Sequence, residues 1–142
     1  MLIVNNIVLW LHCSDEPAGL IDYKFHCFNG EPKFILVCKG RENKIQMRDD
    51  FFDAEWNHLD VKRPGHENSA TPIPKPECLE ELLNLSRTLA KDIPFVRVDF
   101  YIVKGKIYFG EMTFFPAAAI KPFEPESWDD TFGSWLTLPS VN

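Results

Sequence analysis

The sequence has no run of about 20 apolar residues, the length needed to cross a bilayer as a helix, so no membrane span is expected. No Lys or Arg precedes Lys24, and without a positive leading segment the apolar stretch Met1 to Leu11 does not read as a secretory signal. Leu2-Ile3-Val4 and Ile7-Val8-Leu9 are expected instead as one or two buried strands of a cytoplasmic protein. No pair among Cys13, Cys27, Cys38 and Cys78 has the two-residue spacing of a zinc knuckle or redox motif, and His12, His26, His58 and His66 are scattered. The cysteines are therefore expected reduced and partly buried. Positive charge is also short. The net charge of −6 argues against a protein devoted to wrapping DNA or RNA, because such binding rests on clustered Lys and Arg against phosphates. It does not exclude a nucleotide, which needs only a few local cations. There is no internal repeat and no low-complexity tract. No Ser–His or Cys–His nucleophile is recognisable, and no Asp-x-Asp motif occurs, because Asp49-Asp50 and Asp129-Asp130 are adjacent pairs.

What is present fits one soluble domain over residues 1–142, with 45% hydrophobic and 25% charged residues. Tyr23 to Val37 alternates into Asn29-Gly30, a strong hairpin signal, and out through Lys33-Phe34-Ile35-Leu36-Val37. A two-residue loop there sets Phe25 against Phe34 and Lys24 against Ile35. Tyr23, Phe25, Phe34 and Leu36 then share one face, while Lys24, His26 and Lys33 share the other. That second face is either a half-solvated sheet surface, which the pattern alone favours, or a cationic surface over phosphates. Pro64 to Pro76 holds four prolines and one glycine and reads as a loop. From Glu77 to Asp92, Leu79, Leu82, Leu83, Leu89 and Ala90 form one helical stripe, with Pro76 at the first turn and Pro94 at the stop. Trp128, Phe132, Trp135 and Leu136 repeat helical spacing and read as core.

Phe95 to Thr113 carries the chemistry. Val96, Val98, Phe100 and Ile102 form an apolar row, continued by Tyr108, Gly110, Met112 and Phe114; Arg97, Asp99 and Tyr101 lie opposite. A two-residue loop at Lys104-Gly105 would pair Val98 with Glu111 and separate the charges. A three-residue loop, Val103-Lys104-Gly105, pairs Ile102 with Lys106 and sets Arg97 opposite Glu111 with Asp99 diagonal. That register keeps both apolar rows intact and is the one expected. Two carboxylates about 7–8 Å apart suit an oxygen-seeking cation such as magnesium, and Arg97 would offer its fork to a phosphoryl group. On spacing alone, a solvent-facing row with cross-strand Arg–Glu pairing is the favoured alternative.

Arg-Val-Asp-Phe-Tyr, a short turn and Tyr-Phe-Gly-Glu-Met-Thr-Phe-Phe-Pro resemble the final strand pair of the ATP-grasp superfamily. Asp22-Tyr23-Lys24-Phe25, Phe28-Asn29-Gly30-Glu31-Pro32-Lys33-Phe34, Phe51-Phe52-Asp53, Trp56-Asn57, Trp128-Asp129 and Leu138-Pro139 resemble its TupA-like branch, in the same order from Ile21 to Pro139. The resemblance implies an α+β fold, mainly antiparallel sheet with packed helices, corresponding to the C-terminal, ATP-binding part of the ATP-grasp fold. It implies ATP and Mg²⁺ as cofactors, with Asp99, Glu111 and Thr113 as metal ligands, Arg97 steadying the phosphoryl acceptor, and Lys24 and Lys33 facing the nucleotide phosphates. The chemistry implied is activation of a carboxylate as an acyl phosphate for attack by an amine, in synthesis of teichuronopeptide or surface polysaccharide. The partners implied are a nucleotide and a carboxylate, amine or sugar-polymer precursor. The glycine-rich half of such a fold is not recognised, and Asn5 to Ala18 lacks the acidic adenine-hinge segment. The expectation is therefore a partial domain that works with a missing N-terminal half or a separate chain. The alternatives are a non-catalytic remnant serving as an interaction module and a glycosyltransferase-associated polysaccharide biosynthesis protein.

Overall fold

The computed structural model describes residues 19–40, 47–116 and 121–140. The strands expected within Met1 to Leu11, the hinge expected within Asn5 to Ala18, and Cys13 lie outside the described residues. Among the described residues six strands form one antiparallel sheet: β1 (Asp22–Phe28), β2 (Glu31–Lys39), β3 (Arg48–Asp53), β4 (His58–Leu59), β5 (Phe95–Val103) and β6 (Lys106–Thr113), in the order β4-β3-β2-β1-β5-β6. Helix α1 (Leu79–Ala90) packs on one face, and helix α2 (Ser127–Ser134) on the other. The fold is α+β, as expected. No helix among the described residues is long and apolar enough to cross a membrane.

Helix α1 buries Leu79, Leu82, Leu83 and Ala90 against Phe25, Ile35, Val37, Val96, Val98 and Phe100. Ser86 lies in the same stripe, and its hydroxyl donates to the Leu82 carbonyl at 2.8 Å, so its burial leaves no unmade hydrogen bond. The helix ends two residues before the expected boundary; Asp92 turns into the left-handed region (φ 62°) ahead of Pro94. On the opposite face Phe132 stacks on Phe34 at 4.2 Å between centroids, flanked by Phe123, Trp128 and Trp135. Residues 64–76 contain no strand or helix of their own, although Glu67 bridges to Arg48. Phe51 and Phe52 point to opposite faces and both are core. Cys27 and Cys38 are free and buried, and Cys78 is free and half-buried. Burial pushes the Cys27 thiol up to about 12 and the Cys38 thiol higher still, which keeps both protonated and inert.

Two bulges correct the expected registers. Asn29 (φ 49°) and Gly30 (φ 85°) form the expected two-residue turn, with Phe28 facing Glu31. Lys33 is then an extra residue, because Cys27 faces Pro32 while His26 faces Phe34. Lys24 consequently faces Leu36 rather than Ile35, and Phe25 faces Ile35 rather than Phe34. The one-residue slip exchanges faces: Phe34 and Leu36 join Lys24 and His26, while Lys33 is left exposed.

The second hairpin closes through the two-residue turn Lys104 (φ 50°)-Gly105 (φ 73°), not the expected three-residue loop. Gly110 is the extra residue here, since Phe100 faces Phe109 while Asp99 faces Glu111. Arg97 therefore faces Thr113, and Asp99 directly faces Glu111. Below the bulge, Ile107 and Phe109 take the apolar face, and Tyr108 moves to Tyr101 on the charged one. A side chain at Gly110 would meet Tyr101 Cε2 at 2.7 Å and the Asp99 carbonyl oxygen at 3.1 Å. Gly110→Ala is expected to cost about 1–3 kcal/mol through overpacking, read by urea denaturation, and to shift the amide resonances of Asp99 and Tyr101.

Candidate functional site

On the α2 face, antiparallel pairing lines up two cross-strand rows. One runs Phe51, Leu36, Lys24, Asp99, Glu111 across β3, β2, β1, β5 and β6. The next runs Asp53, Phe34, His26, Arg97, Thr113. Each row is apolar on β2 and polar or charged from β1 to β6. Lys24, Arg97, Asp99, Glu111 and Thr113, five of the six residues expected to form a site, are thus brought together. Lys33 is not among them.

Asp99 is the centre of this cluster and only 1% exposed. Arg97 grips it as a fork, with Nε 2.7 Å from Oδ1 and Nη2 2.7 Å from Oδ2. Lys24 Nζ donates to Oδ2 at 2.5 Å and lies 3.7 Å from the buried Asp22. Arg97 Nη2 also reaches Glu111 Oε1 at 2.7 Å, and the Thr113 hydroxyl donates to the same oxygen at 3.0 Å. Charge-assisted bonds of this kind keep a buried carboxylate tolerable. Glu111 differs, since its side chain is 61% exposed. Asp99 and Glu111 are hard oxygen donors on adjacent strands, a set that fits magnesium, which takes one or two carboxylates and completes its shell with water and substrate phosphates. No three His, Cys, Asp or Glu side chains among the described residues converge on a metal position by themselves.

His26 sits beside Arg97 in the second row, buried and stacked on Phe34 at 4.1 Å. Burial pulls its pKa well below the ordinary value, and the charges of Arg97, Lys24 and Arg63 pull it further, against a hydrogen bond to the Lys24 carbonyl that pulls it up. The imidazole is therefore neutral near pH 7. Its Nδ1 lies 3.1 Å from that carbonyl, which can only accept, so Nδ1 carries the proton.

A second cluster escaped the sequence reading. Asp49 on β3, 1% exposed, accepts from Arg63 Nε at 2.8 Å and Nη2 at 2.5 Å, and His66 Nδ1 lies 2.9 Å from the same oxygen. Its Oδ1 has no hydrogen-bond partner among the described residues. The neighbouring Asp50 accepts from the Ser69 hydroxyl at 2.6 Å and lies 3.2 Å from His58 Nε2. These bonds tie residues 58–69 to β3. The one available signal was the charged run Arg48-Asp49-Asp50 at the start of β3; nothing local announces partners 14 and 17 residues downstream.

A family model described as TupA-like ATPgrasp matches residues 2–137. Neither a curated protein nor a solved structure matches the chain.

Two outcomes follow from this geometry. Arg97→Met removes the fork from a buried carboxylate and is expected to lower stability by about 3 kcal/mol, with part of the loss recovered in the Arg97→Met/Asp99→Asn double variant, both read by urea denaturation. For His26 the folded pKa lies below the unfolded value of about 6.5, so between the two the unfolded chain binds a proton that the folded chain does not. Its contribution is full above about pH 6.5 and falls on acidification, by at most about 1.36 kcal/mol per pH unit. His26→Phe, which keeps the stack on Phe34, is expected to flatten the stability profile between about pH 6.5 and 5 by that one proton.

Proposed function

The chain belongs to the TupA-like ATP-grasp family, and from that premise we propose that it carries the metal and phosphoryl end of an ATP- and magnesium-dependent carboxylate–amine ligase of cell-surface polymer synthesis. One observation carries this reading: Lys24, Asp99 and Glu111 stand side by side on β1, β5 and β6, with Arg97 bonded to both carboxylates. Asp99 and Glu111 would hold Mg²⁺, and Thr113, whose hydroxyl now donates to Glu111, would be an accessory ligand. When bound, ATP supplies the phosphoryl group that activates a carboxylate for attack by an amine, with Mg²⁺ neutralising its charge.

The chain's own part is positioning and charge. Lys24 and Arg97 are fixed on adjacent strands, and their cationic heads lie on the same face as the carboxylates, as a phosphoryl group requires. Neither head is free to wander, because each is tied to Asp99. Rigid strands suit such placement better than loops. The exposed Lys33 has no support in this geometry as a nucleotide contact. No glycine-rich flap is recognisable in the sequence, so the reading is tested by binding rather than turnover.

Calorimetric titration with ATP and MgCl₂ is expected to show binding that weakens at least about tenfold in Glu111→Gln and in Asp99→Asn. Glu111 is exposed, so its loss of binding is separable from unfolding. Unchanged affinity in both variants would overturn the assignment and leave the charged row as an ion-pair lattice that holds β1, β5 and β6 together.

A further inference from the structure

Four charged groups meet on the α2 face, and each is already matched. Lys24 and Arg97 bring two positive charges; Asp99 and Glu111 bring two negative ones. Arg97 Nε donates to Asp99 Oδ1, and its Nη2 to Asp99 Oδ2 and Glu111 Oε1, each at 2.7 Å. Lys24 Nζ adds its own bond to Asp99 Oδ2 and is held from the other side by the Asp22 carboxylate at 3.7 Å. Both oxygens of Asp99 and one of Glu111 therefore accept from a cation. The remaining oxygen, Glu111 Oε2, has no hydrogen-bond partner among the described residues, and neither has Arg97 Nη1. Nη1 can be approached, because Arg97 lines a cleft of about 840 Å³ whose floor runs through Phe34 and the neutral His26 to Arg97.

Matched charges oppose each half of a metal–polyphosphate pair taken separately. A bare divalent cation has one exposed carboxylate within reach, Glu111, and a guanidinium is fixed beside it. Magnesium sheds its water reluctantly, and a single carboxylate oxygen next to a positive charge does not hold it. Asp99 cannot swing out to help, because that would strip the largely buried heads of Arg97 and Lys24 of their main partner. A polyphosphate without metal fares no better. It gains the free donors of Nη1, but Asp99 and Glu111 stand directly behind them as like charges.

We infer that Arg97 couples the two ligands, so that the site takes up a divalent cation and a polyphosphate together and turns away either one alone. The inference rests on the ligase reading above and adds the condition under which that site fills. With Nη1 bonded to an anion, the guanidinium no longer repels a cation at Glu111 Oε2. With Glu111 bonded to a cation, the carboxylates no longer repel the anion. Coupling of this kind is reciprocal, each ligand strengthening the other by the same factor. Little has to move: Arg97 keeps its fork on Asp99, and only the exposed Glu111 turns.

Three titrations of the ¹⁵N-labelled chain test this: MnCl₂ alone, ATP alone with EDTA, and ATP with MgCl₂. ATP with MgCl₂ is expected to shift the amides of Arg97, Asp99 and Glu111, and ATP with EDTA to bind at least about fivefold more weakly. Mn²⁺ alone should leave those amides sharp at concentrations where, added with ATP, it broadens them. Arg97→Met should split the affinities: Mn²⁺ alone gains at least about fivefold, while ATP with MgCl₂ loses at least as much. Simple loss of structure would weaken both. Should that variant fail to fold, the titrations of the unaltered chain still decide. Broadening of Asp99 and Glu111 by Mn²⁺ alone, equal ATP affinity with and without magnesium, or unchanged Mn²⁺ affinity in a folded Arg97→Met overturns the coupling. The ligase reading survives that result as long as ATP with MgCl₂ binds at these residues. Absence of any binding by ATP with MgCl₂ overturns the ligase reading, and the coupling falls with it.

Discussion

A carboxylate with 1% exposure in the middle of a sheet is the constraint on which this structure turns. Asp99 is stable there because a lysine comes from one side and an arginine fork from its own strand. Removing a charge from water costs several kcal/mol per ion, and only close, well-formed pairing offsets it. The lysine must therefore lie on a neighbouring strand, at the position directly opposite. That requirement fixes β1 beside β5 with Lys24 against Asp99, and so His26 against Arg97 and Asp22 against Tyr101. Once β1 pairs with both β2 and β5, the strand order is set, and the hairpins flank a central strand buried along its whole length.

The two faces divide the work that results. The α1 face carries a continuous apolar core from Phe52 through Ile35 and Phe25 to Val98, with the buried Asp50 at its margin opposite Val37. Because that side supplies cohesion, the other can carry charge in the rows that run from Leu36 and Phe34 toward Glu111 and Thr113. Helix α2 covers only the apolar end of those rows, where Phe132 stacks on Phe34. The cleft lies along the border, which explains why its lining mixes phenylalanines with guanidinium groups. Site and core are therefore not separate features; the site begins where α2 stops covering the face.

Much of this was legible in the sequence, and the two failures of register share one cause. Alternation over Phe95 to Thr113 gave both strands and the membership of the charged face, since Arg97, Asp99, Glu111 and Thr113 do lie on one side. The route to that face was mistaken. A two-residue turn plus a bulge at Gly110 places the same side chains together as the longer loop would have done, with Asp99 rather than Arg97 opposite Glu111. A bulge leaves no periodic trace, because it is decided by what the extra residue would strike: at Gly110, the Tyr101 ring and the Asp99 backbone. At Lys33 the same blindness had a larger effect, moving Phe34 and Leu36 to the opposite face from the one expected and turning Lys33 out of the site. The Asp49–Arg63–His66 cluster was illegible for another reason. Its members come from a strand and a proline-flanked loop, and only folding brings the loop back over Asp49.

Arg97 bonds both carboxylates, yet the two bonds are not equivalent, and the difference says how such a site would open. The contact with Glu111 joins an exposed carboxylate, and pairs of that kind contribute about 0–1 kcal/mol. The fork on Asp99 is buried, and breaking a buried pair costs about 3–5 kcal/mol. In the proposed ligase, an arriving phosphoryl group or cation would meet a guanidinium that yields Glu111 readily and Asp99 hardly at all. In the proposed ligase, Asp99 is then a fixed anchor, already oriented by Lys24 and Arg97, and Glu111 is the ligand that adjusts. Arg97 keeps its grip on Asp99 while its remaining donors turn toward the anion. The same bond that makes a buried charge tolerable thus holds the cationic fork at the edge of the cleft, where the row and the apolar floor meet.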